Sequence, residues 1–516
     1  MVAFYTIIIV LLTVFSPVLA GIWLHRRFVV PWRIFLLGAL VFILSQVVHI
    51  PLNHLLEDWG VMARQGALTG PVLWRTALVG GLTAGLCEEL ARLVSFIFMK
   101  KRKIEDGLML GIGHGGIESM VFGGVLTAAA AGALLDLRGV DIQTLEMTQT
   151  QLQILELQMD VFLNQPWTLI FTWVERVIAM FLHVSLSILV WKAVVERKPA
   201  LVLLAVAYHM AVDAVVIVVA NSGWVHYQAN LAFLLVSLPL VFWALRNWLQ
   251  QKPAVGIFHK SSAPVFIAAF RKEILGQIRT KRFLIVLSIF AGFGILSPLL
   301  ARFMPEIIGS IEEARDFAHL IPVPTAADSY GQYIKNLSQF GFILVLLLGM
   351  GAVAGEQEHG TAAMILSKPM PRWIFVFSKL LAQALVYFTG LLTSAVFTFG
   401  YTWILFGPQD AGPFILINLL LFLWLLTYAG VTLAGSTLGR TSAAAAGFGM
   451  GGMVLLLVMG SIPMLGQLAP GGLIAWANQL AWSGTGSMNP GAAAMALVLI
   501  VMSMLGSIAV MEKKEI

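Results

Sequence analysis

Thirteen windows of about 20 predominantly apolar residues run through this chain from one end to the other. In lipid, every backbone N–H and C=O must be satisfied within the chain, so windows of this length fold as helices. They lie near 3–24, 29–52, 71–99, 107–135, 167–191, 199–221 and 227–247, then near 283–303, 337–355, 373–406, 412–438, 443–465 and 490–511. The expected fold is therefore an all-α polytopic membrane protein of about 13 transmembrane helices in two bundles, seven and then six. Composition agrees: 59% of the 516 residues are hydrophobic and 11% charged, where a soluble domain carries about 25% charge. The net charge of +6 comes from Lys and Arg gathered at span ends, so the expected contact is the lipid bilayer and no nucleic acid. A single cysteine, Cys87, excludes an internal disulfide and a multi-cysteine metal site. The first window has no basic leader and ends in His25-Arg26-Arg27, which reads as a retained span rather than a signal peptide.

The positive-inside rule orients the spans. Arg26 and Arg27, the run Lys100 to Lys103, Lys192 with Arg197 and Lys198, and Arg246 with Lys252 share one side if spans alternate. That side is the cytoplasm, which puts the amino terminus outside and Glu512 to Ile516 inside. A multi-pass protein of a bacterial-type plasma (inner) membrane is expected. The polar stretch 250–264, with Pro253 and Pro264, reads as a linker between domains 1–249 and 265–516. After it, Phe266, Phe270, Ile274 and Ile278 recur every four residues among Arg271, Lys272, Glu273 and Arg279. This predicts a basic amphipathic helix lying in the inner interface.

Within the first bundle the third window carries Glu88, Glu89 and Arg92. A carboxylate at that depth costs at least about 2.5–3.5 kcal/mol on insertion scales, so an adjacent pair implies a use. Helical rise places Glu88 and Glu89 roughly 17 Å from the basic end of their span, His114 and Glu118 about 10–17 Å from theirs, His183 about 13 Å and His209 about 15 Å. Four helices thus present acids and imidazoles at one depth. Arg92 lies three and four residues from the glutamates, and His114/Glu118 and His209/Asp213 are i,i+4 pairs on shared faces. Glu175 lies nearer the outer surface and is expected to form a structural pair with Arg176. Two chemistries suit this set. A glutamate acts as general base toward water while imidazoles stabilise an oxyanion, or His114, His183 and His209 with a glutamate hold Zn2+. A polar network that only glues helices, or a proton or ion path, uses the same residues.

Glu88-Glu89 with Arg92, the segment Gly113 to Glu118, Glu175-Arg176 followed by His183, and His209 with Asp213 resemble the YhfC-type intramembrane proteases of the wider CAAX-processing group. The resemblance covers about residues 1–245. It implies that Glu88, Glu89, His114, Glu118, His183 and His209 line an active site, with Arg92 and Asp213 in support. The group's usual form has three residues between the second glutamate and the arginine, where this chain has two.

The second half offers its signal outside the apolar windows. An outer loop at 304–336 is expected to hold Pro322, Pro324, Thr325, Asp328, Tyr330, Gln332, Lys335 and Asn336. A turn after the ninth span reads Glu356, Glu358, His359, Gly360 and Thr361, then Ser367-Lys368-Pro369-Met370-Pro371-Arg372. Together these resemble type-2 ABC-transporter permeases over about 265–516. The resemblance implies that Glu356, Glu358, Gly360, Thr361, Pro369 and Arg372 face a cytoplasmic ABC ATPase. Gly360 permits a tight turn and the prolines stiffen the exit. The dipeptide Gly-Lys is absent from the chain, so no P-loop is encoded and ATP enters only through a partner subunit. A homodimer or paired permease is expected, because a full transporter has two permease halves. His359 reads as solvated. No buried charges comparable to Glu88 and Glu89 are expected in this half. The combined expectation is an intramembrane peptidase joined to an export permease. Its alternatives are a permease with a catalytically silent first half, and an ion-coupled transporter.

Overall fold

In the computed structural model every regular element among the described residues is a helix. The structure describes residues 1–63, 68–99, 103–145, 147, 149–221, 226–250, 263–309, 322–368, 370–484 and 488–514. The chain divides into two compact units, Met1–Phe258 and His259–Ile516. Most of the 250–264 stretch read as a linker lies outside the described residues.

The first unit comprises α1 (Val2–Phe28), α2 (Trp32–Asp58), α3 (Gly70–Phe98), α4 (Ile104–Asp136), α5 (Gln149–Asn164), α6 (Ile170–Val195), α7 (Ala200–Ala220) and α8 (His226–Gln250). All but α3 and α5 are long and apolar enough to cross a membrane. Helix α3 spans 29 residues but carries Arg75, Glu88, Glu89 and Arg92, which keep it outside that set. The segment around α5 was not expected to be helical. Five helices form the heart of the unit: α3 packs along α7, α2 along α4, and α4 along α6. Glycines bring these backbones together. A Cβ on Gly113 would meet the Phe35 carbonyl oxygen at 2.0 Å, and one on Gly81 would meet that of Met210 at 2.5 Å. Small residues at such crossings let neighbouring helices approach until polar side chains on them meet.

Helix α4 is not uniform. Immediately after Glu118 the segment Ser119–Leu126 widens into a π-helix, a form found mostly as short bulges at functional sites. The apolar pattern of 107–135 contains no sign of it.

The second unit contains α9 (Ala263–Arg279), α10 (Arg282–Gly309), α11 (Ala326–Gly349), α12 (Ala354–Glu358), α13 (Thr361–Leu366), α14 (Arg372–Phe406), α15 (Ala411–Leu438), α16 (Ser442–Gly460), α17 (Gly471–Ser483) and α18 (Pro490–Lys513). Counting α11 and α12 as one segment, six of these qualify as spans, giving 12 among the described residues. The amphipathic helix expected after the linker is α9, and its Phe266 stacks on Trp373 and Phe377 of α14. The expected outer loop 304–336 needs correction. Thr325 and Asp328 form a reciprocal cap that starts α11 at Ala326, so Asp328 to Asn336 are helical. Tyr333 and Asn336 point into the bundle, where they bond Asn418 at 2.7 Å and Ser297 at 3.0 Å.

Candidate functional site

Helices α3, α4, α6 and α7 bring Glu88, Glu89, Arg92, His114, Glu118, His183, His209 and Asp213 into one buried cluster. Glu89, Arg92 and His114 have no exposed surface, and Glu88, His183 and His209 are almost as enclosed. Glu88 Oε2 lies 2.9 Å from His114 Nε2, 3.9 Å from His209 Nε2 and 4.0 Å from His183 Nδ1. Glu89 Oε1 takes a close hydrogen bond from Arg92 and is 2.8 Å from His209 Nδ1. Arg92 also reaches Glu88 at 3.5 Å and donates to His183 Nδ1 at 2.6 Å. One guanidinium thus ties both carboxylates to the imidazole of another helix, which its planar fork of donors permits. The imidazole rings stand in file, His114 to His183 at 5.0 Å and His183 to His209 at 5.6 Å between centres.

One pairing differs from that read along the helices. His114 and Glu118 share a face of α4, yet they do not pair with each other. His114 turns to Glu88, and Glu118 makes a close contact with His183 Nε2. The cause is the tight α4–α6 crossing, where a Cβ on Gly115 would sit 3.1 Å from that of His183. Glu118 is anchored from outside the cluster as well. Arg176 of α6 bonds Glu118 at 3.0 Å and Glu175 more closely, so the expected Glu175–Arg176 pair is the outer end of this network. The expected His209–Asp213 pair is present at 3.5 Å.

Helix α2 adds residues that the sequence reading missed. Gln46 donates to Glu88 Oε1 at 3.1 Å, and beyond it stand His49, Asn53 and Thr83 of α3. The available signal was the spacing of Gln46, His49 and Asn53, which share one face of an otherwise apolar span.

In the second unit Glu356, Glu358, Gly360 and Thr361, four of the residues expected to face an ATPase, lie in the turn α12–α13. Gly360 joins these two short helices with φ at +70°, a left-handed conformation that glycine adopts without strain. Glu356 points toward α9 and α14. It pairs closely with Lys272 and lies 2.8 Å from Lys379, which is also 2.9 Å from Glu273. Lys379 is only 2% exposed. The second half therefore does hold a buried charge, because α9 and the turn each supply a carboxylate to it. Burial alone would lower the Lys272 pKa, but Glu273 and Glu356 outweigh it and raise it above the ordinary value. Glu358 holds the start of α16, 2.9 Å from both N–H and Oγ of Ser442. Thr361 bonds the Glu356 carbonyl at 3.2 Å, and Arg372 opens α14 with Nη1 buried and without a hydrogen-bond partner among the described residues. His359 is exposed, as expected, and Pro369 lies outside the described residues. Lys514 donates to Gln357 at 3.0 Å, so the end of α18 meets this same turn.

Residues 8–235 match the family model of the YhfC intramembrane metalloproteases, and residues 267–480 match that of the ABC-2 family transporter proteins. The chain carries a YhfC-type domain followed by an ABC-2-type domain. Two proteins of Bacillus subtilis strain 168 are similar to it. The uncharacterized membrane protein YhfC is 25% identical over 236 residues, 45% of this chain and 90% of the relative. The uncharacterized transmembrane protein YxlG is 28% identical over 193 residues, 36% of this chain and 73% of the relative. No solved structure matches. The chain is thus a multi-pass membrane protein in which a protease-like domain and a permease-like domain are fused, consistent with the inner membrane.

A metalloprotease family raises the question of an ion, and the YhfC-type domain has residues that fit one. Ligand atoms of Glu88, His114 and His183 all lie within 4.8 Å of one another, and all three residues are buried. Two imidazoles and a carboxylate are a common zinc donor set that leaves a position open. His114 Nδ1 is buried with no hydrogen-bond partner among the described residues. His183 Nδ1 is occupied by Arg92, so holding an ion there exchanges one bond for another. His209, also expected as a ligand, is engaged with Glu89 and Asp213 and falls outside the group.

Proposed function

We propose that residues 1–249 form an intramembrane endopeptidase and residues 265–516 an export permease driven by a separate cytoplasmic ATPase, with 250–264 as the linker. The observation that carries the peptidase reading is the division of labour between the two glutamates. Both oxygens of Glu88 are engaged, Oε1 by Gln46 and Oε2 by His114. Glu89 Oε1 is held by Arg92 and His209, while Glu89 Oε2 is buried with no hydrogen-bond partner among the described residues. A fixed carboxylate with one uncommitted oxygen is suited to accept a proton.

Glu89 Oε2 takes a proton from a water as the water oxygen bonds to the scissile carbonyl carbon. The carbonyl electron pair moves onto oxygen, where imidazole N–H groups stabilise it. When the C–N bond breaks, the amine leaves with the proton that Glu89 carried. Arg92 holds the two carboxylates in place, and Glu118 with Arg176 holds the His183 ring. Zn2+ held by Glu88, His114 and His183 would supply Lewis-acid polarisation and a more acidic water.

Peptide hydrolysis by the purified chain in vesicles tests this reading. Glu89→Gln keeps the shape and removes the base, and the expected loss is about 10²–10⁴-fold. Hydrolysis unchanged in Glu89→Gln, or absent from the wild type, defeats the peptidase assignment. One observation favours a second reading: most ionisable groups of the cluster are already paired with one another, as in a network that only binds helices together. ATPase stimulation without any peptide cleavage would select this silent-domain form.

For the permease, the support is the α12–α13 turn, polar, short and braced by α9, α14, α16 and the end of α18. A turn clamped at several points can pass on a push from a partner as a rigid piece. We take its side of the membrane as cytoplasmic, with the amino terminus outside and two permease halves per transporter. Co-purification with an ATPase that survives joint loss of Glu358 and Arg372 would count against this surface.

A further inference from the structure

Helix α2 carries three amide or imidazole side chains toward Glu88 that the proposed chemistry does not use. Gln46, His49 and Asn53 are all half-buried and follow one face of the helix. Their contacts form a line: Thr83 Oγ1 to Asn53 Oδ1 at 2.7 Å, Asn53 Nδ2 to His49 Nε2 at 3.0 Å, His49 Nδ1 to Gln46 Oε1 at 3.2 Å, and Gln46 Nε2 to Glu88 Oε1 at 3.1 Å.

With His49 neutral, the bonds from His49 to Glu88 form in only one sense if Glu88 is ionised. An ionised carboxylate oxygen accepts and never donates, so Gln46 must turn its NH2 to Glu88 and its carbonyl oxygen to His49. His49 must then carry its proton on Nδ1 and accept at Nε2. Asn53 must in turn offer its NH2 to Nε2 and its oxygen to the Thr83 hydroxyl. Reversing Gln46 sets donor against donor at His49 and oxygen against oxygen at Glu88, and reversing Asn53 sets its oxygen against the lone pair of His49 Nε2. An isolated glutamine amide has two nearly equal orientations, and the imidazole removes that freedom.

We infer that His49 is a positioning residue for Glu88: it locks the Gln46 amide so that a one-way line of donors, beginning at Thr83 and Asn53, ends on the Glu88 carboxylate. This rests on the reading that Glu88 belongs to a peptidase site. With Oε1 committed to Gln46, Glu88 presents only Oε2 to His114, His183 and His209. The line therefore determines which carboxylate oxygen faces the imidazoles and at what angle. Partners of ligands commonly have this role in metal sites. A structural alternative is that these polar groups merely hold α2 to α3.

The test compares full-length wild type with His49→Leu, His49→Asn, Gln46→Leu and Glu88→Gln in nanodiscs. Three quantities are read: Zn2+ affinity by chelator competition, kcat and KM for peptide hydrolysis, and melting temperature. His49→Leu and Gln46→Leu should each weaken Zn2+ binding about 10–100-fold and lower kcat with KM unchanged. His49→Asn restores an N–H near the position of Nδ1 and should stay within about threefold of wild type on the same scale. A His49→Leu variant that melts earlier yet keeps wild-type Zn2+ affinity and kcat overturns the inference and leaves helix adhesion. If the wild type binds Zn2+ through Glu88 but cleaves nothing, the peptidase reading fails, and the affinities alone decide the role of His49. If it cleaves peptides without Zn2+, kcat decides. A wild type that does neither overturns both.

Discussion

Arg92 has no exposed surface and three partners, Glu88, Glu89 and His183, drawn from two helices. A lysine at this position could supply charge but not a planar fork, so it would satisfy one carboxylate and strand the other or the imidazole. Removing one partner of a buried ionic group typically costs about 3–5 kcal/mol, because the remaining charge stays buried alone. Arg92→Leu is therefore expected to destabilise the YhfC-type domain by about that amount, with Arg92→Lys intermediate. Thermal unfolding in detergent measures both. Equal melting of Arg92→Lys and wild type would show that the fork is dispensable. Glu88, Glu89, Arg92 and the three histidines were legible in the sequence because each is costly in lipid and their depths coincide. The partners of Glu118 were not, since a shared face along one helix says nothing about a closer neighbour across a glycine crossing. Gln46 and His49 escaped for a related reason: a neutral amide and imidazole are inexpensive enough in a span to pass as ordinary.

Among elements, the π-helical stretch Ser119–Leu126 and the glycine crossings determine where side chains of α4 point. The windows of apolar residues located the spans well but could not show a change of helical pitch inside one, because every residue there is apolar or small either way. The start of α11 was misplaced for a different reason: the polar residues of its first turns read as loop until Thr325 and Asp328 are seen to cap them. Gly113→Leu should force α2 from α4, since even a Cβ there would meet the Phe35 carbonyl oxygen at 2.0 Å. The expected outcome is loss of peptide hydrolysis and a lowered melting temperature, while Gly447→Ala, whose Cβ would meet nothing within 4 Å, is silent in both. In the ABC-2-type domain the clamp of α9 on α12 joins Lys272 and Lys379 to Glu273 and Glu356. The pKa of Lys272 lies above its ordinary 10.5 in the folded protein, so its contribution to stability is full below that value and fades as pH rises through the raised one. Between pH 6 and 9 the contribution of Lys272 to the melting temperature should therefore stay constant, and it should fall only above that range. Lys379→Met, which leaves two carboxylates facing each other without their buried cation, should lower the melting temperature and reduce stimulation of a partner ATPase.

At the scale of the whole chain, the polar networks of the two units close separately. The cluster around Glu88 draws every member from between Gln46 and Asp213, and the clamp draws its own from between Lys272 and Lys379. Among the described residues none belongs to both sets, so chemistry in one domain is expected to leave the ion pairs of the other unchanged. Glu89→Gln should therefore abolish peptide hydrolysis while leaving ATPase stimulation at the wild-type level, and Lys379→Met should do the reverse. Transport of a peptide into vesicles separates the remaining cases. If Glu89→Gln blocks transport of the intact peptide but not of the pre-cleaved product, the first domain prepares what the second one moves. If it blocks both, the two domains are coupled mechanically, and the separation of their polar networks does not mark a separation of function. Unimpaired transport of the intact peptide would mean that fusion places two activities in one membrane without placing them in one sequence of steps.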